Sequence, residues 1–131
     1  MPFRHCRVKT FRTNQIDGKN GLYANIFVND SHSYRGEWLN DQKHGYGKLI
    51  NHKNGSFYEG EFVRNRKHGQ GRLTIRLQNG TMQRYYVGQW EDDQMNGYGT
   101  LYFSETKYYE GEFYRNQRCG WGRMHYDNGD V

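Results

Sequence analysis

The chain lacks most of what usually fills a protein interior. Only 34% of its 131 residues are hydrophobic, and there is a single proline. The two cysteines, Cys6 and Cys119, lie far apart with no paired spacing. Lone thiols of that kind fit a reducing compartment rather than a disulfide frame, so the cytoplasm is the expected location. No run of about 18 apolar residues is present, so no helical membrane span is expected. The N-terminus carries Arg4, His5, Cys6 and Arg7 where a secretory leader would need an apolar stretch.

Aromatic residues are abundant instead. They reach 17%, with 12 tyrosines, and 17 glycines accompany them. Disordered chains are poor in aromatics. Large rings favour strands, and abundant glycine marks turns or close approach of backbones. The composition therefore predicts an all-β protein whose buried area comes from rings packed on bare backbone.

Self-similarity gives the organisation. Tyr34-Arg35-Gly36-Glu37-Trp38 returns as Tyr58-Glu59-Gly60-Glu61-Phe62, Tyr86-Val87-Gly88-Gln89-Trp90 and Tyr109-Glu110-Gly111-Glu112-Phe113. A second signature follows each copy: His44-Gly45-Tyr46-Gly47, His68-Gly69-Gln70-Gly71, Asn96-Gly97-Tyr98-Gly99 and Cys119-Gly120-Trp121-Gly122. Four repeats result, 34–57, 58–85, 86–108 and 109–131. Asn20-Gly21 extends the register backwards, with Tyr23 in place of the second glycine. Residues 10–33 thus read as a degenerate N-terminal cap, since terminal repeats are often atypical. Residues 1–9 read as a basic tail.

This two-part pattern resembles that of the MORN repeat family over about residues 34–131. The resemblance implies a hairpin array, an elongated antiparallel β-meander forming a single-layer twisted sheet. It also implies a non-enzymatic scaffold for other proteins, in settings such as the axoneme of the cilium or flagellum, including sperm. A rival implication is binding of acidic phospholipid at a membrane surface. Some family arrays are joined to lipid kinase, methyltransferase or membrane-anchor segments, for which this sequence has no room. The family usually places glycine three residues after the Trp. Here Asp41, Asn65, Asp93 and Asn116 stand there, and Asn and Asp are the best non-glycine residues for a left-handed backbone.

Each repeat reads as two strands alternating faces with period two. Tyr34, Gly36 and Trp38 share a face, and Gly45, Gly47 and Leu49 share the matching face of the second strand; these are assigned inwards. The rows Gly71, Leu73, Ile75, Leu77; Gly99, Leu101, Phe103; and Gly122, Met124, Tyr126 continue the same assignment. Asn54-Gly55, Asn79-Gly80 and Asn128-Gly129 are type I′ hairpin signals between repeats. Ser104 to Lys107 lacks such a signal, and Gln83-Arg84-Tyr85 predicts a bulge or extended hairpin.

The outward rows repeat too. Tyr46, Gln70, Tyr98 and Trp121 form one; Lys48, Arg72, Thr100 and Arg123 form the next. Trp, Tyr and Arg are favoured at binding hot spots, and such rows also serve simply as cross-strand pairs. Tyr46, Lys48, Arg72, Tyr98, Trp121 and Arg123 are the expected partner-binding residues. Arg64, Arg66, Lys67, Arg72, Arg76 and Arg84 are the basic set available to a lipid surface. Charge is uneven along the chain: net +3 over residues 1–33, +6 over 34–85 and −4 over 86–131. Such polarity can orient a partner.

Catalytic and ligand motifs are weak. The Gly-x-Gly pairs lack the third glycine of a nucleotide loop and sit within strands. Glu59/Glu61 and Glu110/Glu112 could serve acid–base chemistry, but they occupy the solvated positions of a repeating strand. His44 and His68 share a repeat position that then becomes Asn96 and Cys119, so neither zinc nor any other metal is expected. No cofactor is expected, and basic and aromatic residues without a recognised motif make nucleic acid a remote partner. The sequence stops at Val131, one residue before the next repeat's Tyr would fall. An uncapped final strand there predicts pairing with another chain, including a second copy.

Overall fold

A computed structural model describes residues 19–126. They form nine antiparallel strands in one open sheet, in sequence order and without crossovers. The strands are β1 (Gly21–Phe27), β2 (His32–Leu39), β3 (Gln42–Asn51), β4 (Phe57–Val63), β5 (Arg66–Arg76), β6 (Met82–Glu91), β7 (Gln94–Tyr102), β8 (Tyr108–Tyr114) and β9 (Gln117–His125). There is no helix among the described residues, hence none long and apolar enough to cross a membrane. The all-β meander is as expected. The basic tail, residues 10–18 of the expected cap, and the Asn128-Gly129 turn lie outside the described residues.

The turn inside each repeat has two residues, both left-handed: Asn40-Asp41, Arg64-Asn65, Asp92-Asp93 and Arg115-Asn116, with φ between 50° and 71°. Two positive φ values make a type I′ turn, whose twist matches that of the flanking strands. The second residue of each pair was legible in the sequence; the first was not. The side chain of that second residue gives Asn or Asp a role that glycine could not fill. The Oδ1 of Asn65 accepts the Lys43 amide at 2.8 Å, that of Asp93 the Lys67 amide at 2.8 Å, and that of Asn116 the Met95 amide at 2.8 Å. The turn residue's own amide returns a bond to the same residue's carbonyl, as from Asn65 to Lys43 at 2.9 Å. Each turn therefore clasps the repeat before it. Asp41 clasps Lys19 in the same way, at 2.9 Å through its amide and 3.3 Å through Oδ1. This places β1 as the second strand of a preceding unit.

The links between repeats differ from the expected type I′ geometry. Gly55 and Gly80 are left-handed, at φ 78° and 91°, but Asn54 and Asn79 are not. Asn79-Gly80 lies in a three-residue loop closed by Leu77 N–H to Thr81 carbonyl at 2.8 Å. Asn54-Gly55 lies in a four-residue loop closed by Asn51 N–H to Ser56 carbonyl at 2.9 Å. The asparagine instead turns its side chain onto the chain two residues ahead: Asn54 accepts the Ser56 amide and Asn79 the Thr81 amide, each at 2.9 Å. An Asx turn thus competes with the left-handed state at those positions. At the third link Ser104 Oγ takes that role, accepting the Lys107 amide at 3.0 Å. The long second link resolves as a bulge at Tyr85, between the pairs Leu73–Tyr86 and Thr74–Arg84.

One row of glycines crosses the sheet. Gly36, Gly47, Gly60, Gly71, Gly88, Gly99, Gly111 and Gly122 lie opposite one another in succession from β2 to β9. The Tyr of each repeat lays its ring across the row, so a Cβ on Gly47 would fall inside the Tyr34 ring and one on Gly71 inside the Tyr58 ring. Tyr34, Tyr58 and Tyr86 are fully buried or nearly so. Each hydroxyl donates to the carbonyl three residues on: Glu37 at 2.9 Å, Glu61 at 2.8 Å and Gln89 at 2.9 Å.

The rings then stack edge-to-face into a continuous spine. Tyr34 meets Trp38 at 5.1 Å and Phe62 at 5.2 Å; Tyr58 meets Phe62 at 5.0 Å and Trp90 at 5.3 Å; Tyr86 meets Trp90 at 5.2 Å and Phe113 at 5.0 Å. Each such pair adds about 0.5–1.5 kcal/mol beyond its buried area. Leu49, Leu73 and Leu101 pack against the spine. Phe103 and Tyr126, expected inside, are 46% exposed, because the spine runs only through the Tyr, Gly and Trp/Phe positions.

The period-two assignment fails at Gly45. Between the pairs Gly36–Gly47 and Trp38–Lys43, β3 carries more residues than β2, a bulge centred on Gly45 at φ 82°. The bulge turns the missing Cβ of Gly45 towards the outward-facing Glu37 carboxylate instead of the spine. Gly69, Gly97 and Gly120 repeat this geometry against Glu61, Gln89 and Glu112.

Two outcomes follow from the spine. Gly71→Ala has no room beside a Tyr58 ring held between Phe62 and Trp90, and should cost about 3 kcal/mol or more in chemical denaturation. Gly80→Ala meets open space and should cost only about 1–2 kcal/mol, for its left-handed φ. Burial pushes the Tyr86 hydroxyl up to about 12 and those of Tyr34 and Tyr58 higher, with Glu37 and Glu61 adding to the latter two. An unfolded tyrosine ionises near pH 10. Stability is thus fully present below that pH and should fall as pH rises from about 10 towards 12, read as unfolding coincident with a late phase of tyrosinate absorbance.

Candidate interaction surface

The two faces of the sheet are chemically different. On the spine face, a residue at or just before the beginning of each second strand covers the rings. Lys19 lies 4.7 Å over Trp38, Lys43 5.9 Å over Tyr34, and Lys67 5.6 Å over Tyr58. Lys19 pairs with Asp41 at 2.7 Å and Lys67 with Asp93 at 3.8 Å. At Lys43 the corresponding turn residue is the neutral Asn65, and burial holds this ammonium below its ordinary pKa, with Lys67 adding to the effect and Asp93 opposing it. Buried Met95 takes the position in the third repeat. This face is occupied by the protein's own side chains.

The opposite face is free. Tyr46, Tyr98 and Trp121 are 59%, 61% and 85% exposed. In register across the strands they alternate with polar residues: Tyr46 opposite Glu61, Gln70 opposite Gln89, Tyr98 opposite Glu112. A parallel row runs Arg35, Lys48, Glu59, Arg72, Val87, Thr100, Glu110, Arg123. Between the two rows, over β5 to β9, lies an open trough of about 760 Å³. Its floor is the backbone of Gly88, Gly99, Gly111 and Gly122, and its walls include Gln70, Gln89, Tyr98, Trp121, Thr100, Glu110 and Arg123.

Of the expected partner-binding residues, Tyr98, Trp121 and Arg123 line this trough together. Tyr46, Lys48 and Arg72 lie further along the same rows, outside it. Lys48 sits 4.3 Å over Phe57, and Arg72 bonds Glu59 at 2.9 Å. Sequence reasoning passed over Gln89, Glu110 and the glycine floor, because the glycines were read only for their role under the rings. The signal was present: residues flanking a glycine on either side face the same way, so the two rows had to bracket it.

The basic set does not gather. Arg66 reaches Asp92 at 3.9 Å, Lys67 turns to the spine face, and Arg84 stacks 4.4 Å over Tyr102. Arg64 lies in a turn at one end of β5, and Arg76 at the other. The glutamate pairs are also engaged. Glu59 holds Arg72, Glu110 meets His125 at 2.8 Å, and Glu61 and Glu112 fold over bulge glycines. Cys119 is a free, exposed thiol; Cys6 lies outside the described residues. Among the described residues no group of three or more His, Cys, Asp or Glu could hold a metal ion.

A single-layer sheet of repeated hairpins, with one face filled by its own rings and the other presenting repeated rows, defines a tandem β-hairpin repeat protein. A family model for the MORN repeat matches residues 34–55, 58–76, 86–105 and 109–131. The chain is similar to MORN repeat-containing protein 3 of Xenopus laevis, at 39% identity over 91 residues, covering 69% of this chain and 38% of that protein. The chain therefore belongs to the MORN repeat family, and it spans well under half the length of this curated relative.

Trp121 and Trp90 should separate surface from spine. Trp121→Ala should unfold within about 0.5 kcal/mol of the parent, whereas Trp90→Ala should lose about 3–5 kcal/mol, both by denaturant titration.

Proposed function

We propose that the chain is a rigid, non-catalytic scaffold that docks other proteins along the outer face of its sheet. The observation that carries this reading is the trough walled by Tyr98 and Trp121. Two large rings stand in solvent, outside the buried spine. Exposed aromatics near Arg123, with polar side chains at the rim, have the composition of an interface hot spot. Repetition supplies an extended docking surface, as in other quasi-one-dimensional arrays. Family resemblance supports a cytoskeletal setting, the cilium or flagellum axoneme.

Cross-linking the chain in extracts of ciliated cells tests the reading. Tyr98→Ala and Trp121→Ala should each remove most captured partners, while Leu39→Ala, exposed on β2, should not. Unchanged capture by both trough variants would sink it. The acidic-phospholipid alternative has less to draw on, because Arg66, Lys67 and Arg72 each face a carboxylate. Acidic-phospholipid binding should weaken steeply with salt; sedimentation with anionic vesicles at low salt that is lost at moderate salt would favour the lipid reading, and no sedimentation at low salt would sink it.

A further inference from the structure

We propose that the trough between Tyr98 and Trp121 takes a basic, proline-rich segment of a partner protein in the extended polyproline II form. The proposal deepens the scaffold reading and rests on it.

The first argument is spacing. Tyr98 is on β7 and Trp121 on β9, two strands apart, so their anchor points are separated by about 10 Å. A polyproline II chain rises about 3.1 Å per residue with three residues per turn, about 9 Å in all. Residues at every third place along such a segment fall on successive rings. The segment would run across the strands, along the glycine floor.

The second argument excludes the other common guests. A β-strand adds to a sheet through free backbone groups at an edge, but the strands beneath the trough already spend theirs on each other. An amphipathic helix also brings residues to one line about 10 Å apart, at i and i+7. It needs apolar contact at i+3 and i+4 as well, and there the row presents Glu112, opposite Tyr98. A polyproline II segment points its intervening residues away and leaves that place open. It has no internal hydrogen bonds, so its carbonyls are free acceptors. The Trp121 indole N–H and the Arg123 guanidinium supply donors at the wall.

The third argument is charge. The charged residues that line the trough are Glu110 and Arg123. The Glu110 carboxylate is half exposed beside His125. A guest that sets an arginine or lysine beside its prolines against Glu110, with its carbonyls towards Arg123, is complementary to that wall.

An oligoproline peptide with flanking arginines, titrated into the whole chain, tests the proposal. Calorimetry reads binding, and tryptophan emission reads burial of Trp121. The peptide should bind and shift the emission. Trp121→Ala and Tyr98→Ala should each weaken it at least about tenfold, while Leu39→Ala leaves it unchanged; circular dichroism confirms that all variants are folded. Replacing the peptide's arginines by glutamates should weaken it by a similar factor. Equal affinity for a glycine–serine peptide of the same length and charge, tighter binding of a helix-forming peptide, or indifference to both trough variants would each overturn the proposal. If the oligoproline fails to bind or to displace partners that Trp121→Ala still releases, this inference falls and the scaffold reading stands. If neither Trp121→Ala nor Tyr98→Ala releases any, both fall.

Discussion

The structure depends on one contact, repeated: a tyrosine ring lying flat on a glycine of the adjoining strand. Without a Cβ beneath it, the ring approaches the backbone closely enough to exclude water from a sheet that has no second layer. The hydroxyl at the far end of the ring still finds a carbonyl on its own strand, three residues on, so burial does not strand the tyrosine's polar atom. Aromatic edges then link one repeat to the next, and a poorly hydrophobic chain acquires a continuous core.

Everything else adapts to that contact. The bulge at Gly45 and its counterparts lets the second strand pass the Trp or Phe without breaking the glycine row. The left-handed Asn or Asp in each turn ties the hairpin to the one before it, adding hydrogen bonds between repeats where packing alone would act. Lysines roof the rings, and where Asp changes to Asn at residue 65 the roof keeps a cation with no carboxylate opposite. The spine needs only one face, which leaves the other exposed. Its rows of Tyr46, Tyr98 and Trp121 and of Lys48, Arg72 and Arg123 carry no structural duty beyond cross-strand pairing.

Much of this was legible because repetition amplifies weak signals. One Tyr-x-Gly-x-Trp means little, but four in register fix strand, face and partner. The errors lie where local chemistry has two solutions. Asn-Gly permits a type I′ turn or an Asx turn beside a left-handed glycine, and loop length chose the latter at residues 54 and 79. Alternation of faces assumes an unbroken strand, and the bulge broke it at Gly45. The candidate partner residues lie on the outer face, but only three of the six share the trough. Their grouping depends on which neighbours cross-strand pairs have already engaged, as Glu59 engages Arg72.

The sequence by itself determined the strand order, the inward tyrosines and the outward rows, because these follow from period and composition. Only the tertiary structure decided that the glycines form a single file, that the turn side chains reach back to the preceding repeat, and that Tyr98, Trp121 and Arg123 converge. Those features join residues more than about 10 positions apart, and their geometry is set by bulges and twist that no local pattern encodes.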